Sequence, residues 1–101
     1  MKTLKFTVIL MPEADGGYSV VCPTLPGCVS QGDNLQEALD NIREAILLIL
    51  EVRAEDGLPL PHETPDMVAD EIRRCLHDRA EDNLPLVIET REVEVEAGVL
   101  V

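Results

Sequence analysis

Tryptophan is absent from this 101-residue chain, and phenylalanine and tyrosine occur once each. Any core must therefore be built from Val, Leu, Ile and Ala. Basic residues are also scarce, with 8 Lys and Arg against 20 Asp and Glu and a formal charge of −12. Such a surface repels phosphate backbones, so direct nucleic-acid binding is not expected. A basic protein partner fits the charge better, although the same charge also serves plain solubility. Cysteine is limited to Cys22, Cys28 and Cys75, an odd number without framework spacing, which excludes a disulfide scaffold. The longest apolar run, Ala45 to Leu50, is six residues, far below membrane-spanning length, and no signal-peptide pattern is present. The expectation is a cytoplasmic protein with reduced thiols.

A chain this short forms about one small domain and buries only around two thirds of its unfolded surface. A small aliphatic core makes self-association an effective way to bury more, so a homo-oligomer, dimer or larger, is expected. The charge is uneven. Residues 1–50 hold 3 basic and 6 acidic residues, whereas 51–101 hold 5 and 14.

Hydrophobic spacing gives the element order. Leu4 to Leu10 is rich in β-formers and reads as a first strand. Asp15-Gly16-Gly17 has the composition of a tight hairpin turn, which pairs Tyr18 to Cys22 with that strand. Gly27 to Gln31 is a short third strand after the Pro23–Pro26 loop. From Leu35 the apolar positions Ala38, Leu39, Ile42, Ala45, Ile46, Ile49, Leu50 and Val52 recur at intervals of three and four, predicting a helix over 34–55 with Asp33 as its cap. Gly57-Leu58-Pro59-Leu60-Pro61 is an extended exit. A second helix is expected over 66–82, capped by Thr64 or Asp66 and fraying from Asp78 to Asp82. Val93 and Val95 then alternate with Glu92, Glu94 and Glu96, as in an edge strand buried on one face. The fold expected is α+β, β-β-β-α-(α)-β: a three-stranded antiparallel meander and a returning strand packed on one long helix. Residues 1–61 form the core, and 62–101 complete the same domain.

The stretch Asp15-Gly16-Gly17-Tyr18, Pro23-Thr24-Leu25-Pro26-Gly27-Cys28, and Gln31-Gly32-Asp33-Asn34-Leu35-Gln36-Glu37-Ala38-Leu39-Asp40-Asn41-Ile42-Arg43-Glu44-Ala45-Ile46 resembles the signature of HicB-type antitoxins. Gly57-Leu58-Pro59-Leu60-Pro61 resembles the segment after the family helix. The resemblance covers roughly residues 3 to 61 and leaves the 66–82 helix as an insertion before the last strand. It implies a partial ribonuclease-H-like fold without catalytic residues, and a small basic HicA-type toxin as partner, inhibited by occlusion of its RNA-cleaving surface. Family members usually add a helix-turn-helix or ribbon-helix-helix module at the carboxyl end. Neither is visible here, so operator binding by this chain alone is not implied.

Few residues offer chemistry of their own. Glu13, Asp15 and Asp33 read as solvated turn and cap residues rather than a two-metal nuclease site. Cys22 and Cys28 lack the CxxC spacing of a redox pair and read as buried apolar thiols. His62 and His77 lack a second-ligand spacing for zinc. No cofactor or metal is therefore expected. Arg73, Arg74 and Arg79 are the nearest approach to a basic cluster, and acidic residues surround them. The candidate partner-binding residues are Tyr18, Pro23, Leu25 and Pro26, with Leu25 held outward between prolines, and the acidic Glu51, Glu55 and Asp56. The acidic stretch extends to Glu63, Asp66, Asp70 and Glu71. Val93 and Val95 are the expected oligomer seam. Two other readings stay open: an orphan self-associating regulatory domain without a toxin, and a metal-dependent nuclease.

Overall fold

The computed structural model describes residues 2–97. Four antiparallel strands, β1 (Lys2–Pro12), β2 (Tyr18–Val21), β3 (Val29–Gly32) and β4 (Glu89–Ala97), form one sheet in the order β3-β2-β1-β4. Helix α1 (Leu35–Glu55) follows β3, and helix α2 (Pro65–Glu81) precedes β4. The returning strand lies beside β1 along nearly its full length, from Lys2 opposite Ala97 to Leu10 opposite Glu89.

The pleat sends alternate residues to opposite faces of the sheet. Phe6, Val8 and Leu10 of β1, Val20 of β2, and Val93, Val95 and Ala97 of β4 share one face, where they meet Ala38, Ile42, Ile46 and Leu50 of α1. These α1 residues recur every four positions, as a helix lying along a sheet requires. Ile9 and Val21 point to the other face and meet Cys75, with Met11, Ile72 and Ile88 packed around them. Each helix thus covers its own side of the sheet. A sequence with one long helical stripe does not say that the second helix takes the far face.

Local signals set the helix ends. Asn34 rather than Asp33 is the N-cap of α1; its side chain accepts from the Glu37 N–H at 2.8 Å. Glu37 also accepts from the Asp33 N–H at 3.3 Å, one residue before the cap. Thr64 caps α2, and Pro65 occupies its first turn. Instead of fraying, α2 stays helical to Glu81, and Asn83 then takes a positive φ of 56° to end it.

Two contacts hold α2 to the sheet. Buried Arg79 donates from Nε to the Pro85 carbonyl at 2.6 Å and from its guanidinium to the Pro12 carbonyl at 3.2 Å. At the other end, Glu63 accepts from the Thr7 N–H at 2.7 Å, the Thr7 hydroxyl at 2.8 Å and the Thr24 hydroxyl at 3.1 Å. Pairing between β1 and β2 starts at Ile9, so the Glu63 carboxylate takes up a β1 donor that no strand reaches.

Gly32 sets the approach of α1 to β3. A Cβ there would lie 2.3 Å from the Ala38 nitrogen and 2.7 Å from the Glu37 carbonyl carbon. Only a residue without a side chain lets the helix begin this close to the strand.

Val93 and Val95 occupy the expected edge strand, but their side chains are 1 % and 3 % exposed and belong to the protein's own core. A seam made by those two side chains is therefore corrected, because α1 already covers them. The outer edge of β4 offers a partner backbone groups and glutamates instead.

Candidate functional site

The loop between β2 and β3 closes through two successive turns. Leu25 N–H donates to the Cys22 carbonyl at 3.2 Å, and Cys28 N–H donates to the Leu25 carbonyl at 3.0 Å. These bonds fold Leu25 inward, where it is fully buried beside Cys22 and Cys28. The expected outward anchor is thus a core residue, because the turn geometry overrides what the flanking prolines suggest. Thr24 is buried and bonded to Glu63, Pro23 is half-buried, and Pro26 is exposed.

Tyr18 lies at the opposite end of β2, facing Gly32 across the ladder. It packs partly against the core and lines a cleft of about 220 Å³ with Glu13, Asp15, Gln31, Asp33, Glu37 and Asn41. Three of the cleft's carboxylates have local work: Glu13 accepts from the Ser19 hydroxyl at 2.6 Å, Asp15 from the Gly17 N–H at 3.0 Å, and Glu37 from the Asp33 N–H at 3.3 Å. Among the described residues, no group of three or more His, Cys, Asp or Glu side chains is placed to hold a metal ion.

The thiols are equally committed to packing. Cys22 and Cys28 face each other across the loop, with the Cys22 N–H donating to the Cys28 carbonyl at 3.0 Å. A hydrogen bond to the Cys28 sulfur, then burial, raises the Cys22 thiol above its ordinary value. Cys75 is raised by burial and by the neighbouring Glu71 carboxylate. The same hydrogen bond from Cys22 lowers the Cys28 thiol, which is buried in the core. The two upward shifts leave Cys22 and Cys75 protonated at neutral pH.

The three arginines do not form a basic patch. Arg73 pairs with Asp70, Arg74 with Glu71 at 2.7 Å, and Arg79 is buried in the structural role described above. Glu63 stays exposed, but its carboxylate is engaged by Thr7 and Thr24.

Glu51, Glu55 and Asp56 are exposed at the carboxyl-terminal half of α1 and its cap. They have company that periodicity alone passed over. Leu47, Leu48 and Val52 lie on the same outward side of the helix at 38 %, 62 % and 48 % exposure. Val52 fits the expected inward stripe by spacing but is exposed, and the stripe continues from Leu50 to Ala54 instead. Leu47 and Leu48 are the readable signal: they lie in the longest apolar run yet outside the repeat of three and four. The candidate residues Glu51 and Glu55 thus share an exposed helix surface with large apolar side chains.

The strands and helices together define a small α+β domain with a four-stranded antiparallel sheet and two helices. A family model described as the HicB-like antitoxin of bacterial toxin–antitoxin systems matches residues 6–79, and the chain belongs to that family. The match runs through most of α2 and stops before β4. A UPF0150 protein of Synechocystis is 50 % identical over 58 residues, which span 57 % of this chain and 73 % of that protein. The antitoxin HicB 1 of Photorhabdus laumondii is 36 % identical over 63 residues, covering 60 % of this chain and 41 % of that protein. The amino-terminal domain of Burkholderia pseudomallei antitoxin HicB has the same fold, with a TM-score of 0.66 at 22 % identity over 92 % of this chain and 99 % of that one. A chain of the HicA3–HicB3 toxin–antitoxin complex aligns at a TM-score of 0.54 and 19 % identity, over 93 % of this chain and 98 % of that one.

Proposed function

We propose that this chain is an antitoxin that binds a small basic HicA-type toxin and neutralises it by covering its RNA-cleaving surface. The observation that carries the reading is membership of the HicB-like antitoxin family across residues 6–79. The −12 charge supports it, because an acidic protein is drawn to a basic RNA-binding one and competes with RNA for the same cations. Inhibition by occlusion needs surface and affinity, not a reacting group, and the exposed carboxylates of α1, Glu44, Glu51 and Glu55, offer such a surface.

The same reading places the protein in the cytoplasm and gives its sheet a partial ribonuclease-H-like ancestry. It treats residues 1–61 and 62–101 as one unit, tied by Glu63 and Arg79. Self-association through the β4 edge belongs to it as well. Backbone pairing would supply the attraction there, while Glu92, Glu94 and Glu96 would limit it by mutual repulsion.

The test is co-expression with a HicA-type toxin from the same genome under separate control. Growth arrest on toxin induction, relieved by this chain, is the expected result. Arrest that persists with the chain abundantly expressed would overturn the reading.

A further inference from the structure

The outward side of α1 changes character along its length. Its first half presents Gln36, Glu37 and Asp40, all polar and exposed. Its second half presents Leu48 and Val52 with Glu44, Glu51 and Glu55 along one side of them, and Leu47 beyond those acids. Leu48 and Val52 are one helical turn apart, as are Glu44 and Leu48, so these side chains form one continuous surface. A shallow depression of about 490 Å³ lies along it, lined by Glu44, Ala45, Leu47, Leu48 and Glu51.

This pattern is costly if the surface stays in water. Solvated helix faces carry charge, and Leu48 and Val52 side by side on such a face, with Leu47 nearby across the acids, mark a contact surface. The acids then identify the occupant. Glu44, Glu51, Glu55 and Asp56 form no ion pair among the described residues. The arginines of the helix are occupied: Arg43 pairs with Asp40 at 3.2 Å, and Arg53 donates to the Pro59 carbonyl at 3.3 Å. A second copy seated here would set carboxylates against carboxylates around the apolar centre, which is destabilising. A partner with an apolar centre and a rim of Lys or Arg would neutralise all four.

We propose that the outward face of α1 from Glu44 to Asp56 is the docking surface for the basic toxin, with Leu48 and Val52 at its centre and Glu44, Glu51 and Glu55 as its rim. This rests on the antitoxin reading and assigns it a surface. Desolvated aliphatic contacts at the centre slow dissociation, and the acidic rim speeds association and makes it salt-sensitive.

The probe is the HicA-type toxin that the wild-type chain neutralises, prepared without ribonuclease activity and titrated calorimetrically. Leu48→Asp and Val52→Asp are exposed changes, and circular dichroism melts confirm that each variant folds. Each should weaken binding about tenfold or more, as expected for a central contact. The pair Glu51→Lys and Glu55→Lys should weaken binding and flatten its salt dependence. Glu92→Lys, on the sheet face away from α1, makes the same kind of charge change and should leave binding within about twofold. Unchanged affinity in Leu48→Asp and Val52→Asp, with wild-type neutralisation intact, would overturn the docking surface and leave the antitoxin reading standing. An equal loss in Glu92→Lys would reduce the effect to bulk charge and overturn the surface too. If Leu48→Asp converts a dimer to a monomer by light scattering, the face is a self-interface and the proposal fails. If the wild-type chain neutralises no HicA-type toxin, both readings fall together.

Discussion

Leu25→Ala separates two incompatible roles for the Pro23–Gly27 loop. Leu25 has no exposed surface and sits with Cys22, Cys28 and the α1 residues in the main core. Truncating a fully buried leucine removes three heavy atoms from packing and leaves a cavity, which costs about 2–5 kcal/mol. A domain of this size has about 5–15 kcal/mol in total, so the variant loses a large fraction of its stability. Each kcal/mol moves the midpoint of a domain near 100 residues by about 4–8 °C, which puts the expected fall at about 10 °C or more. The assay is a thermal melt followed at 222 nm, with urea midpoints to convert the shift into free energy. Pro26→Ala, at an exposed position in the same loop, is the control and should change stability by less than about 1 kcal/mol. A Leu25→Ala variant that melts with wild type but loses its partner would show that Leu25 faces outward, and would refute the packing described here.

Four more substitutions probe the fold. Gly32→Ala places a methyl against the α1 backbone, which cannot rotate aside; a loss of about 1–3 kcal/mol or failure to fold is expected in urea titration. Glu63→Ala strands the buried Thr24 hydroxyl and the Thr7 N–H, costing about 1–3 kcal/mol, and hydrogen exchange should accelerate at Thr7. Val93→Asp buries an unpaired carboxylate under α1 and should unfold the chain rather than merely dissociate an oligomer, a difference that circular dichroism reads directly. Cys75 keeps its proton in the fold at a pH where the unfolded thiol, ordinarily near 8.5, has lost it. Its contribution is therefore complete below about pH 8.5 and declines as pH rises through the folded value. Urea midpoints at pH 8 and pH 10 should differ more in wild type than in Cys75→Ala, and equal differences would contradict the shift.

The parts of this fold that were legible in the sequence are those governed by local chemistry. The α1 stripe of Ala38, Ile42, Ile46 and Leu50 follows from helical period, and the β4 alternation of Val93 and Val95 with glutamates follows from strand period. What stayed hidden depends on which groups meet in space. Leu25 looked outward because Pro23 and Pro26 flank it, yet hydrogen bonds between Cys22, Leu25 and Cys28 turn it in. Glu63 looked like one more solvated acid, and only the fold brings Thr7 and Thr24 within reach of it. Arg79 looked surface-exposed for the same reason, until the Pro12 and Pro85 carbonyls are placed beside it. On the candidate surface, the acids Glu51 and Glu55 were legible by charge. Their apolar neighbours Leu47 and Leu48 were legible only as positions outside the repeat of three and four, a signal masked because an apolar run on an amphipathic helix is ordinarily assigned to the core.

The central claim is neutralisation by occlusion, and purified components test it most directly. A HicA-type toxin from the same genome is assayed for RNA cleavage at low and high ionic strength while this chain is titrated in. Cleavage should stop near equimolar chain and return as salt screens the attraction between acidic and basic surfaces. Cleavage that continues unchanged at a tenfold excess of chain would contradict the account.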